Sequence, residues 1–218
     1  MIDLHCHSLF SDGCLLPAEF IQRAEAMGYR GLAITDHADQ SNLEFILGRL
    51  LPAMKALNQT RRLNALAGVE LTHLPPSQIA DMVGRARDLG AQLVLAHGQS
   101  LVEPVADGTN RAAIEAGVDI LAHPGLLTLE EAELAAARGV HLEISARAGH
   151  CLGNGLVASL ARQSGAKLVL NTDAHGPGDL VTRTQAARIA QGAGLSLAEI
   201  EVMFNNSHIL WQTAQQRA

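Results

Sequence analysis

Seven short apolar runs, each followed by a stretch of helical period, recur along the chain, and this alternation restricts the fold more than any other feature. The runs cover residues 2–7, 31–36, 63–70, 92–97, 120–123, 141–145 and 167–173. Amphipathic stretches at 17–27, 41–57, 77–89, 110–116, 129–137, 156–164 and 179–191 lie between and after them. Gly28, Gly90, Gly117, Gly139, Gly165 and Gly192 stand where left-handed helix C-caps are expected. A closing helix starts near Ser196, with Glu199 three residues on as the partner of a capping box. Strands joined by helices cannot pair as hairpins, so the pattern predicts a parallel sheet.

With 218 residues, 48% of them hydrophobic, the chain has ample material for one large core, and the absence of a linker-like boundary predicts a single domain over 1–218. Aromatics contribute only 3%, so that core is built from Ala, Leu, Val and Ile. A formal net charge of −6 and the lack of any basic run argue against an extended nucleic-acid partner. Cys6, Cys14 and Cys151 form no CxxC pair, which points to a reducing compartment. No signal-like segment or membrane-length apolar run is evident, so the expectation is a soluble, cytoplasmic protein without a membrane partner.

Polar residues at the ends of the runs decide between an open doubly wound sheet and a closed barrel. Every run but the sixth ends in side chains that ligate metals well: His5 and His7, His37, Glu70, His97, His123, then Asp173 with His175. An open sheet would spread these ends along a line at roughly 5 Å per strand. A barrel gathers them at its C-terminal rim, where barrel active sites lie. The expectation is therefore an α/β fold, a distorted (β/α)7 TIM-like barrel. His5 and His7, two apart on a strand, point the same way and can grip one ion, while Cys6 points opposite.

The motifs resemble those of the polymerase and histidinol phosphatase (PHP) family of metal-dependent phosphoesterases along nearly the whole chain. The opening D-x-H-x-H-S matches at His5 and His7, S-D-G at Asp12, T-D-H at His37, and the closing T-D-A-H at Asp173 and His175. The family's bridging glutamate falls on Glu70, and two further histidines on His97 and His123. The resemblance implies a first cation held by His5, His7, Glu70 and Asp173. It implies a second on Glu70, His97 and His123, and a third on Asp12, His37 and His175. The resemblance thus implies two or three divalent ions, and imidazoles and carboxylates without thiolate suit Zn, Mn or Fe. Such a cluster favours an anionic substrate and activates water as a hydroxide nucleophile, so no protein nucleophile is expected.

Substrate contacts are sought in the loops after the strands. Arg147 and His150, after the sixth run, can take a phosphate by a guanidinium fork and a hydrogen bond. Arg111 opens the helix after the fourth run, where Thr109 or Asn110 is expected as the N-cap. Glu143 is expected either to orient a ligand histidine or to pair with a basic side chain inside the barrel, and Asp36 to serve a supporting role. The expected activity is hydrolysis of a small phosphate monoester, similar to the family's histidinol-phosphate phosphatases. Alternatives are a nucleotide or nucleic-acid-end phosphoesterase or exonuclease, and a non-catalytic scaffold that keeps the fold. An amidohydrolase-type site expects a lysine on a middle strand, and the runs before Lys167 contain none.

Overall fold

Parallel strands and helices alternate through residues 1–217, the part that the computed structural model describes. In chain order these are β1 (Ile2–Asp3), α1 (Pro17–Ala26), β2 (Gly31–Ile34), β3 (His37–Ala38), α2 (Leu43–Asn58), β4 (Asn64–Leu71), α3 (Pro76–Asp88) and β5 (Leu93–His97). There follow α4 (Thr109–Ala116), β6 (Ile120–Ala122), α5 (Leu129–Arg138), β7 (His141–Ser145), α6 (Asn154–Ser164), β8 (Leu168–Asn171), α7 (Arg183–Gly192) and α8 (Leu197–Gln215). The sheet runs β1-β2-β4-β5-β6-β7-β8, with β3 on β4. Ile34 lies opposite Ala67 and His37 opposite Glu70, so β2 and β3 are one strand in constant register, interrupted at Thr35 and Asp36. That leaves seven strands around a nearly closed barrel.

Closure between β1 and β8 is where the barrel is distorted. The run expected at 2–7 keeps ladder pairing only at Ile2–Asp3. Beyond it, side chains replace the ladder: the Leu4 amide donates to Asn171 Oδ1 at 2.9 Å and the Thr172 hydroxyl to Asp3 at 2.6 Å. Backbone contact resumes higher up, where the His7 amide donates to the Ala174 carbonyl at 2.8 Å. Loss of ladder pairing beyond Asp3 thus leaves His5 and His7 on a segment shaped by side chains.

Two apolar layers hold the barrel. Leu4, Ala33, Leu66, Leu93, Leu95, Ile120 and Val169 fill its interior with Leu210 and Ala214 of α8, while a larger layer lies between the sheet and the surrounding helices. Trp211 packs so closely on β2 that a Cβ on Gly31 would lie 2.6 Å from the indole, so only glycine fits there. Small aliphatic residues suffice because each layer is narrow. Among the described residues no helix is long and apolar enough to cross a membrane.

Local signals are mostly where the sequence puts them, with three differences. The Ser196–Glu199 capping box forms, and Gly28, Gly90, Gly117, Gly139 and Gly165 are left-handed. Gly192, in contrast, is the last residue of α7, and Gly194 takes the left-handed turn. The helix expected from 179 begins at Arg183, because Asp179 accepts the His175 and Gly176 amides at 2.9 Å each and Thr182 forms the cap with Gln185. Neither Thr109 nor Asn110 caps α4. Gly108 does, and Asn110 instead bridges the Gln99 amide and the Pro124 carbonyl at 2.9 Å each.

Candidate metal centre

All nine side chains marked by the motifs meet at the C-terminal rim, carried by the ends of six strands and one loop. The loop bearing Asp12 folds back so tightly that a Cβ on Gly13 would lie 2.0 Å from the His7 carbonyl. Asp36 pins it by accepting the Ser8 amide and the Ser8 and Ser11 hydroxyls, each at 2.7 Å. Asp12 Oδ1 then stands 3.1 Å from His175 Nε2 and 3.6 Å from His37 Nε2.

Glu70 is the centre of the cluster. Its Oε2 lies 3.3 Å from His5 Nε2, 3.5 Å from His7 Nε2 and 2.8 Å from His37 Nδ1, and its Oε1 lies 3.5 Å from His123 Nε2. Asp173 Oδ1 approaches His7 Nε2 to 3.2 Å and His5 Nε2 to 3.7 Å. Donor atoms fall into groups whose members lie within 4.8 Å of one another: His5, His7 and Glu70; His5, His123 and Asp173; His97, His123 and His150; His7, Asp12, His37 and His175; and His73, His97 and Glu103. These groups can hold metal ions.

Hydrogen-bond accounting fits that use. His5 Nε2, both ring nitrogens of His7, both oxygens of Glu70, His123 Nδ1 and Asp173 Oδ1 are buried without a hydrogen-bond partner. Such orphans cost about 1–3 kcal/mol each and persist where a cation uses the lone pairs. Opposite the cluster, Glu143 accepts from His5 Nδ1 at 2.9 Å, from Asn171 Nδ2 at 2.8 Å and from the His123 amide at 3.0 Å. That contact fixes the His5 tautomer and turns Nε2 toward Glu70, the arrangement by which carboxylates orient ligand imidazoles.

Electrostatics separate the clustered side chains. Burial drives His7 well below the usual histidine range, with repulsion from His37 and His5 adding to it, so this ring is a neutral donor. Burial likewise brings His97 and His150 down to about 4. Burial pushes the Asp173 carboxyl up to about 6. Burial would raise Glu70 too, but the charges of His5 and His37 override it and hold the carboxyl well below the usual range. His123 and Asp173 also hold left-handed backbone, at φ 28° and 50°, a strain that the surrounding structure enforces.

The three substrate candidates part company. Arg147 reaches the cluster: its Nη1 donates to the Asp173 carbonyl at 3.0 Å and lies 2.8 Å from His175 Nδ1, with the side chain one-third exposed. His150 sits deeper than a loop residue facing substrate, stacked on His123 at 4.1 Å and linked to Ser100 Oγ at 2.6 Å. Arg111 is not brought to the cluster. It lies on the exposed face of α4, held by Glu115 at 3.0 Å one turn on and by Glu130 of α5 at 2.8 Å, while its neighbour Asn110 turns inward.

Sequence reasoning missed Glu103, whose carboxylate lies 3.0 Å from His97 Nε2 and 3.3 Å from His150 Nε2. It stands mid-loop, outside any strand end or motif, so no periodic signal marked it.

A sequence model of the family described as the PHP domain matches residues 3–103. The chain is 44% identical to an uncharacterized protein of Methanocaldococcus jannaschii over 201 residues, spanning 91% of this chain and 92% of the relative. It is 28% identical to ribonuclease P protein component 3 of Methanosarcina mazei over 207 residues, covering 87% of this chain and 80% of that protein. Among solved structures, archaeal ribonuclease P with mature tRNA contains a chain similar at a TM-score of 0.75 and 19% identity, covering 98% of this chain and 91% of that one. Histidinol phosphate phosphatase from Lactococcus lactis, solved with zinc, L-histidinol and phosphate, is similar at a TM-score of 0.62 and 15% identity, covering 89% and 94%. At such identities the structural likeness is one of fold.

The chain belongs to the PHP domain family.

Proposed function

We propose that this protein hydrolyses a small phosphate monoester at a centre of two or three divalent Zn, Mn or Fe ions. One observation carries the reading: nine motif residues scattered from His5 to His175 meet around buried lone pairs that nothing in the protein satisfies. The ligands are assigned as His5, His7, Glu70 and Asp173; Glu70, His97 and His123; and Asp12, His37 and His175. Ions bound there supply Lewis acidity, charge neutralisation and a nucleophilic water at neutral pH. The chain's own residues do the rest. Glu143 holds His5 in its ligand tautomer, Asp36 holds the Asp12 loop in reach, and burial of the histidines excludes competing solvent. Arg147, at the lip, is placed to take a phosphate oxygen that projects from the cluster.

A small substrate is supported by the formal charge of −6 and the lack of a basic run, which leave little to track a phosphate backbone. A second reading, a role on RNA, is favoured by the 28% identity to ribonuclease P protein component 3 over most of the chain. Phosphate release from histidinol phosphate, nucleoside monophosphates and RNA, measured on metal-depleted and metal-restored protein, separates the two. Turnover of histidinol phosphate but not of nucleotides or RNA is expected. The reverse pattern selects the second reading, and no release from any ester by fully loaded protein selects the non-catalytic scaffold. Arg147→Ala is expected to raise KM about 10- to 100-fold with kcat little changed, since one charge-assisted hydrogen bond is worth about 1.5–3 kcal/mol. An unaltered KM removes Arg147 from the substrate site.

A further inference from the structure

Glu103 lies outside the nine motif positions, on the loop between β5 and α4, yet its carboxylate turns into the cluster. Its Oε2 is 3.0 Å from His97 Nε2 and 3.4 Å from His73 Nε2, and its Oε1 is 3.3 Å from His150 Nε2. Donors around one tetrahedral first-row cation, at bonds of about 2.0–2.2 Å, stand about 3.3 Å apart. The spacing around Glu103 is that of ligands sharing an ion.

Ring orientation points the same way. His97 Nδ1 lies 3.0 Å from the Gly98 carbonyl, which only accepts, so Nδ1 carries the hydrogen and a neutral ring presents a bare lone pair at Nε2. A bare lone pair facing a carboxylate oxygen at 3.0 Å is repulsive unless a proton or a metal cation is shared between them. His150 Nδ1 is taken up by the Ser100 hydroxyl at 2.6 Å, which leaves Nε2 as its open corner toward Glu103. Donor atoms of His97, His123 and His150 lie within 4.8 Å of one another, and so do those of His73, His97 and Glu103. His73, behind the carboxylate, holds a left-handed φ of 52° that turns it toward the mouth.

We propose that Glu103 is a metal ligand in this chain, closing the second cation position on its solvent side together with His97 and His150, while His73 orients the carboxylate from outside. The inference rests on reading the cluster as a metal centre and adds a fourth carboxylate to it. Glu103 is 38% exposed, far more open than His97 or His150, so it stands on the side of this position that solvent and an incoming anion reach first.

Full-length protein stripped by a chelator and titrated with Co2+ tests this, with binding followed by calorimetry and by the Co2+ absorption spectrum. Glu103→Gln and Glu103→Ala are expected to weaken one ion at least tenfold and change its spectrum, with the remaining ions within about twofold of wild type. Melting of the metal-free variants should match wild type, because the side chain sits on a half-exposed loop. Affinities of every ion within about twofold of wild type in both variants, with the spectrum unchanged, overturn the role of Glu103 alone. Fewer than two ions bound by the wild-type protein overturns the proposed function and this inference with it.

Discussion

Asp173→Asn is expected to lower phosphate-ester turnover about a thousandfold or more, since an anionic ligand contributes several kcal/mol and each 1.36 kcal/mol is a factor of ten. Asparagine is the informative substitution because Asp173 holds a φ of 50°, which asparagine tolerates better than alanine does. The amide keeps the shape and removes the charge that faces His5, His7 and His123. The metal-free variant should melt no lower than wild type at neutral pH. Burial raises the Asp173 carboxyl from 3.8 to about 6 in the folded protein, so its ionisation opposes folding. The stability associated with its protonated form is full below 3.8 and lost as pH rises through about 6. Asparagine, always neutral, removes that loss. The measurements are kcat/KM, ion content and the melting temperature with and without metal. Turnover near wild type in the variant would remove Asp173 from the centre.

Glu143→Ala is expected to cost about 3–5 kcal/mol of stability, the usual consequence of removing one partner from a buried charged pair. His5 Nδ1, the His123 amide and Asn171 Nδ2 would all lose their acceptor, and the cavity is fully enclosed. For a chain of this size the melting temperature should fall by roughly 10 °C. Metal affinity should fall about 10- to 100-fold as His5 loses its orientation. Glu143→Gln, which keeps an acceptor, should recover most of the stability and less of the affinity. Burial alone would raise this carboxyl, but the charge of His5 outweighs it and depresses the native pKa. Its contribution is therefore present above the unfolded value of 4.5 and lost as pH falls below it, so wild type and Glu143→Ala should converge in acid. Equal melting temperatures at neutral pH would show that Glu143 does not organise the centre.

How far the chain could be read follows from which interactions are local. Helix caps were legible because the Ser196–Glu199 box closes within one turn. The strand-end donors were legible because an apolar run must stop where its side chains reach the rim, so His97 and His123 announce their position by their neighbours. Asp36 and Glu143 were legible as supports only because each sits beside or within such a run. Arg111 illustrates the limit: its place in a first helical turn is correct, but only the packing of α4 against α5 shows that it faces Glu130 and solvent.

By itself the sequence determined the order of strands and helices, the donors at the strand ends and the chemistry those donor types support, since period, capping and ligand class are properties of short segments. Only the tertiary structure decided how β1 closes on β8 through Asp3, Asn171 and Thr172, which carboxylate orients His5, and that Glu103 enters the cluster from mid-loop. These depend on contacts between residues far apart in the chain, where no periodicity carries information and only the packed barrel sets the distance.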